Sequence, residues 1–193
     1  MIDIIEKVNK GFLTGKLREI YDRTQGACES PDEYECYTLH EIAKQTKGNI
    51  LEIGTWRGRS ASFLAEAIKD TDRELYLVEW FSGDNTGGQK PDRGIMEEAL
   101  KEYKYKLFDE DMLKVDYSQM KNIDMVFYDS DHETEPTTQT LSRIHAHLNP
   151  DAIVCIHDAN WEMTQKAIKN VDNLYRLMYT INVWEGFCIL KKI

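Results

Sequence analysis

The chain has 193 residues, 41% of them hydrophobic and 30% charged, which is enough for one globular domain with a sizeable core. Its 24 basic and 34 acidic side chains give a formal charge of −10 with no Lys/Arg-rich block, a field that repels phosphate backbones and excludes nucleic acid as a default partner. No stretch approaches the roughly 18 apolar residues that span a bilayer, so no membrane partner is expected. The start MIDIIEKVNK is not a signal peptide, and Cys28, Cys36, Cys155 and Cys188 form no CxxC pair, so a reduced, cytoplasmic protein is expected.

Residues 2–24 read as helical, with a break near GFLTG. In SPDEYECYTLHEIAKQTKG, Ser30 suits a helix cap, Pro31 and the acids suit a first turn, and Gly48 suits the exit. His40 lies beside Leu39, Ile42 and Ala43 and reads as a packing or surface histidine. From Asn49 onward strands and helices alternate. NILEI is a strand and Ser60 to Lys69 a helix; ELYLVE is the second strand, followed by the loop WFSGDNTGGQKPDRG, which has the length and glycines of a lid, and the helix IMEEALKEYK. YKLF and IDMVFY are strands three and four. Leu141, Ile144, His145 and Leu148 share one face of the next helix, with Pro136 near its start, which makes His145 a core-edge residue. AIVCIH is strand five, and Trp161, Thr164, Ala167, Ile168 and Val171 outline a helix. LYRLMYT and VWEGFCILKK close the chain as two strands, too closely joined for a parallel crossover. Cys155 and Cys188 fall inside apolar runs, as small core residues do. The expected fold class is α/β: a Rossmann-like doubly wound seven-stranded sheet with an antiparallel carboxyl-terminal hairpin strand and an amino-terminal helical extension.

In such a sheet, ligands bind beyond the carboxyl ends of the strands, where the strand order reverses. The stretch NILEIGTWRGRSASFLAEAI runs from strand through a glycine turn into a helix. Gly54 lets the backbone turn, and Gly58 leaves space where a side chain would block a bound group. Glu52 precedes the turn, and Glu79 closes strand two, where a carboxylate can accept both hydroxyls of a ribose. Further acids follow strand three in FDEDM. A phosphate loop would present donors and bare backbone, so these carboxylates suit a cationic, ribose-bearing ligand instead.

LEIGTWRGRSASFLA, YLVEWFSGD, IDMVFYDSDHE and LNPDAIVCIHDANW resemble, in order, the motifs of class I S-adenosylmethionine-dependent methyltransferases. They are most similar to the small-molecule O-methyltransferase-like branch, with its macrolide/sugar and cephalosporin-hydroxylase-like relatives. The resemblance covers the chain from about Gly48 to its carboxyl terminus. It implies a single methyltransferase-like domain over 1–193, with 1–47 as helical extension and 48–193 as Rossmann-like core. Carried over, Glu52, Gly54 and Gly58 hold the methionine end of S-adenosylmethionine, Glu79 the ribose, and Trp80 lies beside the adenine. Asp109 or Asp111 lies near the adenine amine, and Asp129 completes the cofactor set. Trp56 stands where the wider superfamily often has glycine, a departure this branch tolerates.

The family's topology sets YDSDH beside HDANW, so that Asp129, Asp131, His132, His157, Asp158 and Asn160 converge on one pocket edge. The blander role for Asp158 or Asn160 is to cap the following helix. The expected activity is methylation of a hydroxyl on a small molecule of sugar or natural-product type. Two ways to handle the hydroxyl proton compete. In metal-using relatives, carboxylates here hold magnesium or manganese; the matching positions are Asp129, His157 and Asp158, with Asp131 as nearby base. An imidazole at 157 weakens the magnesium case. In the second, to which this reading leans, His132 or His157 takes the proton directly, and the acids are expected to outweigh burial in setting the histidine's pKa. The alternatives are a catalytically silent S-adenosylmethionine-binding module and an NAD-type oxidoreductase on a similar sheet.

Overall fold

The apolar runs form the centre of one seven-stranded sheet in a computed structural model that describes residues 13–25, 32–82, 90–181 and 185–193. The strands are β1 (Asn49–Ile53), β2 (Leu75–Glu79), β3 (Lys106–Asp109), β4 (Ile123–Tyr128), β5 (Leu148–His157), β6 (Tyr175–Ile181) and β7 (Phe187–Lys192), in spatial order β3-β2-β1-β4-β5-β7-β6. β1 to β5 are parallel, and β7 runs antiparallel to both β5 and β6. The doubly wound sheet with a reversed carboxyl-terminal strand is thus present. Of VWEGFCILKK only the part from Phe187 is strand, and residues 182–184 lie outside the described residues.

Both faces of the sheet are covered, which is why its strands read as nearly continuous apolar runs. The helices are α1 (Gly15–Thr24), α2 (Glu33–Gln45), α3 (Arg59–Ile68), α4 (Arg93–Leu100), α5 (Thr134–His145) and α6 (Glu162–Asn170). Leu39 and Ile42 of α2, Leu64 of α3, and Met96 and Leu100 of α4 pack on Ile50, Leu77 and Phe127. Leu141 and Ile144 of α5 pack on Leu51, Ile53, Val126 and Val154 of the opposite face. Because strand side chains alternate, Glu52 is on the α2/α3 side together with Ile50. α1 joins this side through Ile20, which meets Cys36 and Phe63. Among the described residues no helix is long and apolar enough to cross a membrane.

Three sequence expectations are corrected. The cap of α2 is Asp32, whose carboxylate accepts the backbone N–H groups of Tyr34 and Glu35 at 2.8 and 2.9 Å, while Glu35 Oε2 accepts the Asp32 N–H at 3.1 Å. Ser30 lies outside the described residues. Gly48 is not the helix exit: Thr46 already leaves α2 in extended conformation, and a Cβ at Gly48 would overlap the Asn122 carbonyl oxygen. Leu148 opens the ten-residue β5 instead of extending the face of α5. The middle of the lid loop, residues 83–89, lies outside the described residues. The Asp32/Glu35 pair is a reciprocal capping box, so Asp32→Ala should cost about 1 kcal/mol in urea unfolding.

The remaining single residues behave as packing groups. His40 is buried with Nδ1 3.1 Å from Glu41 Oε1, and the His145 ring meets Tyr175 edge-on at 5.4 Å. Cys36, Cys155 and Cys188 are buried, and burial pushes the Cys188 thiol up to about 12. Cys28 lies outside the described residues.

Candidate active site at the carboxyl ends of β1, β2, β4 and β5

Strand order reverses between β1 and β4, and Ile53 pairs with Tyr128 there. The next residues, Gly54 and Asp129, therefore meet just past the sheet. Gly54 has φ +90°, and a Cβ would overlap the Asp129 carbonyl oxygen, so this position admits no side chain. Trp56 has φ +53°, the left-handed region in which glycine is at ease. A tryptophan there carries roughly 1–2 kcal/mol of strain, held in place by its N–H donating to Glu79 Oε2 at 2.7 Å. Gly58, at φ +85°, caps α3. The space its missing side chain leaves is taken by Met96 of α4, 3.2 Å from where a Cβ would be, so the glycine lets α4 pack closely here. Among the described residues no side chain caps α3, and its first turn holds no acid.

Glu52 is 0% exposed, and neither carboxylate oxygen has a hydrogen-bond partner among the described residues. Burial pushes its pKa up to about 8; the Ser60 and Thr55 hydroxyls pull the other way, but neither closes a hydrogen bond of ordinary geometry on it. Glu79 is better solvated by protein, because the N–H groups of Trp56 and Trp80 donate to its two oxygens at 2.7 and 2.9 Å. Burial still raises its pKa above the usual carboxylate range. Trp80 is 41% exposed, with Lys114 Nζ 5.3 Å from its ring centre. Asp109 accepts the Phe81 N–H at 3.3 Å and pairs with Arg93 at 3.4 Å. Asp111 accepts the Leu113 N–H at 2.9 Å and lies 3.5 Å from Lys114, which links it to Trp80.

The β4/β5 register pairs Tyr128 with Ile156, which sets Asp129 level with His157. His157 Nδ1 lies 3.3 Å from Asp129 Oδ1 and 3.0 Å from Asp158 Oδ2. Its Nε2 lies 3.4 Å from Glu35 Oε1, and His132 Nε2 rests on Asp158 Oδ2. One ligand atom from each of Asp129, His132, His157 and Asp158 falls within 4.8 Å of the others. The capping role for Asp158 and Asn160 is not used: the cap residue of α6 is Trp161, with no side-chain cap among the described residues. Asp158 instead adopts φ +54°, and its carbonyl accepts the Trp161 N–H at 3.0 Å.

Two of the six expected residues stay out of this cluster. Asp131 is exposed and accepts the Glu133 N–H at 2.7 Å, and Asn160 packs against Gly186. One member was missed. Glu35 is 2% exposed, and its capping-box position gives no sign that its second oxygen faces a strand end. Burial would lower the pKa of His157, but Asp129, Asp158 and Glu35 together hold it well above its usual value. Burial works against ionised Asp158 as well, yet His132 and His157 bring it down to about 2. His132 is raised in the same way, with Asp158 overriding burial.

Residues 51–159, more than half of the chain, match the family model described as Methyltransferase domain. No curated protein matches the sequence. Among solved structures, an SAH-bound methyltransferase of Podospora anserina aligns at TM-score 0.72 and 15% identity, over 99% of this chain and 94% of its own. An O-methyltransferase of Bacillus cereus in complex with SAH aligns at TM-score 0.72 and 13% identity, over 100% and 98%. A methyltransferase of Geobacter sulfurreducens aligns at 0.69 and 16%, over 98% and 95%. The chain belongs to the methyltransferase domain family, with the Rossmann-like fold of class I methyltransferases. It is an enzyme.

Proposed function

We propose that this methyltransferase takes its methyl group from S-adenosylmethionine and transfers it to a hydroxyl of a small molecule of sugar or natural-product type. The observation that carries the donor is the pair of buried carboxyls around the Gly54 turn, one of them without a hydrogen bond of ordinary geometry among the described residues. An ammonium supplies what Glu52 lacks, and Glu79 has lone pairs left for ribose hydroxyls after its two N–H bonds. The uncapped amides of α3 suit the methionine carboxylate. Trp80 offers a face to the adenine, and Asp111, joined to Trp80 through Lys114, is favoured over Asp109 for the adenine amine. A dinucleotide would bring two phosphates against the same carboxyls, which disfavours the oxidoreductase reading.

S-adenosylmethionine supplies a methyl group already activated on positive sulfur, so the protein has to align the acceptor and accept its proton. His157 is 5% exposed with a carboxylate at each ring nitrogen, whereas the His132 side chain is 35% exposed. The proton role therefore falls to His132. Asp158 holds its ring and increases its basicity. Asp129, His157 and Asp158 are the residues that would hold a divalent cation, which would lower the pKa of the acceptor hydroxyl.

Calorimetry tests the donor. S-adenosylmethionine and S-adenosylhomocysteine should both bind, and Glu79→Ala should weaken them by roughly 10- to 100-fold, the loss of hydrogen bonds to a charged acceptor. Tighter binding of NAD than of either would overturn the reading.

A further inference from the structure

We infer that Asp129, His157 and Asp158 form a site selective for a borderline transition-metal dication over magnesium, and that Glu35 is the positioning residue that sets its histidine. Metal binding here does not depend on the methyl-donor reading; only its use on an acceptor hydroxyl does.

Three observations carry it. The first is spacing. A cation bound at about 2.0–2.2 Å holds neighbouring ligand atoms about 3.0–3.4 Å apart. His157 Nδ1 already lies 3.0 and 3.3 Å from an oxygen of Asp158 and of Asp129. The second is the far side of the ring. Histidines that bind metals usually donate their other N–H to a carboxylate, which fixes the tautomer and directs the free lone pair at the cation. Glu35 Oε1 faces that nitrogen at ion-pair distance, 3.4 Å from Nε2, and both groups are at most 5% exposed. Its second oxygen is anchored by the Asp32 N–H at 3.1 Å, so the capping box of α2 fixes the carboxylate that orients the histidine. The third is the donor set. Magnesium takes hard oxygen ligands in an octahedron, whereas imidazole suits borderline dications such as cobalt and zinc. His132, the most exposed of the four clustered groups by side chain, stands beside the site and is not required to hold the metal.

The chain is stripped with EDTA and titrated with Co²⁺, Mn²⁺ and Mg²⁺ without any nucleotide, by calorimetry and by the visible spectrum of bound cobalt. One equivalent of cobalt should bind at least ten times more tightly than magnesium, with bands that His157→Ala removes. His157→Asp restores an all-oxygen set and should lower the cobalt-to-magnesium preference at least tenfold. Glu35→Gln keeps a side chain able to serve the capping box, yet should weaken cobalt roughly 10- to 100-fold, with S-adenosylhomocysteine affinity and unfolding midpoint unchanged. His132→Ala should leave cobalt affinity intact. Equal affinity for magnesium and cobalt overturns the inference, as does an unchanged spectrum in His157→Ala or unchanged selectivity in His157→Asp. Cobalt binding in a wild-type chain that ignores S-adenosylhomocysteine would uphold the metal site and count against the methyl-donor reading alone.

Discussion

Glutamine at position 52 should make the apoprotein more stable and a poorer binder of S-adenosylmethionine. The sign follows from where the proton sits. Below the ordinary carboxyl value of 4.5, Glu52 is protonated in both the folded and the unfolded chain. Between 4.5 and about 8 the unfolded chain ionises while the folded one keeps its proton. Folding stability is lost over that window by up to about 1.4 kcal/mol per pH unit. Above it the folded carboxyl ionises too, and the loss levels off. Glutamine has no proton to give up, so it removes a penalty of about 3 kcal/mol at pH 7, less the cost of a buried amide without partners. Urea unfolding at pH 5, 7 and 8.5 should show a gap between E52Q and wild type that widens with pH. Calorimetry should show S-adenosylmethionine weakened at least tenfold, the ammonium having lost its charged partner, worth about 1.5–3 kcal/mol. A gap that stays constant across pH would show that burial does not hold the proton on Glu52. Unchanged affinity would remove Glu52 from the cofactor site.

His132→Ala should lower turnover roughly 10²- to 10⁴-fold, the usual contribution of a general base, without changing affinity for S-adenosylhomocysteine. The loss should not come from collapse of the wall beside it. The His132 ring packs against Trp161 with centres 4.8 Å apart and planes tilted by 47°, but the Trp161 indole N–H donates to Glu185 Oε2 at 2.6 Å and is held independently. Turnover is measured as S-adenosylhomocysteine released with a panel of catechols, phenols and nucleotide sugars as acceptors. His132→Gln keeps bulk without a comparable base and should be about as slow as alanine. Wild-type rates in both variants would take His132 out of the proton's path.

Strand positions were legible because parallel strands buried on both faces must be apolar almost throughout; IDMVFY coincides with β4 to the residue. The turn after β1 was legible because Glu52, Gly54 and the apolar run before them are local features of the sequence. What stayed hidden depends on neighbours distant in the chain. Leu148 carries the same apolar character whether it ends a helix face or begins β5, and only pairing with Ile123 decides. That α4 brings Met96 against Gly58 is not visible in the local sequence. Asp131 and Asp129 are equivalent in YDSDH, and the turn into α5 separates them by engaging Asp131 with the Glu133 N–H. Glu35 belongs to a helix more than ninety residues earlier than the strand ends it serves, and no spacing rule connects them.

The reversed strand has a consequence for how the chain is made. β7 lies between β5 and β6, yet it is synthesised after both. Until it emerges, β5 exposes one edge carrying the buried run Val154, Cys155 and Ile156, and β6 has no partner on which to dock. An open apolar edge of this kind templates pairing with other chains. The nascent protein is therefore most prone to aggregate in the interval between completing β5 and completing β7, and slowing translation across residues 158–186 would lengthen that exposure.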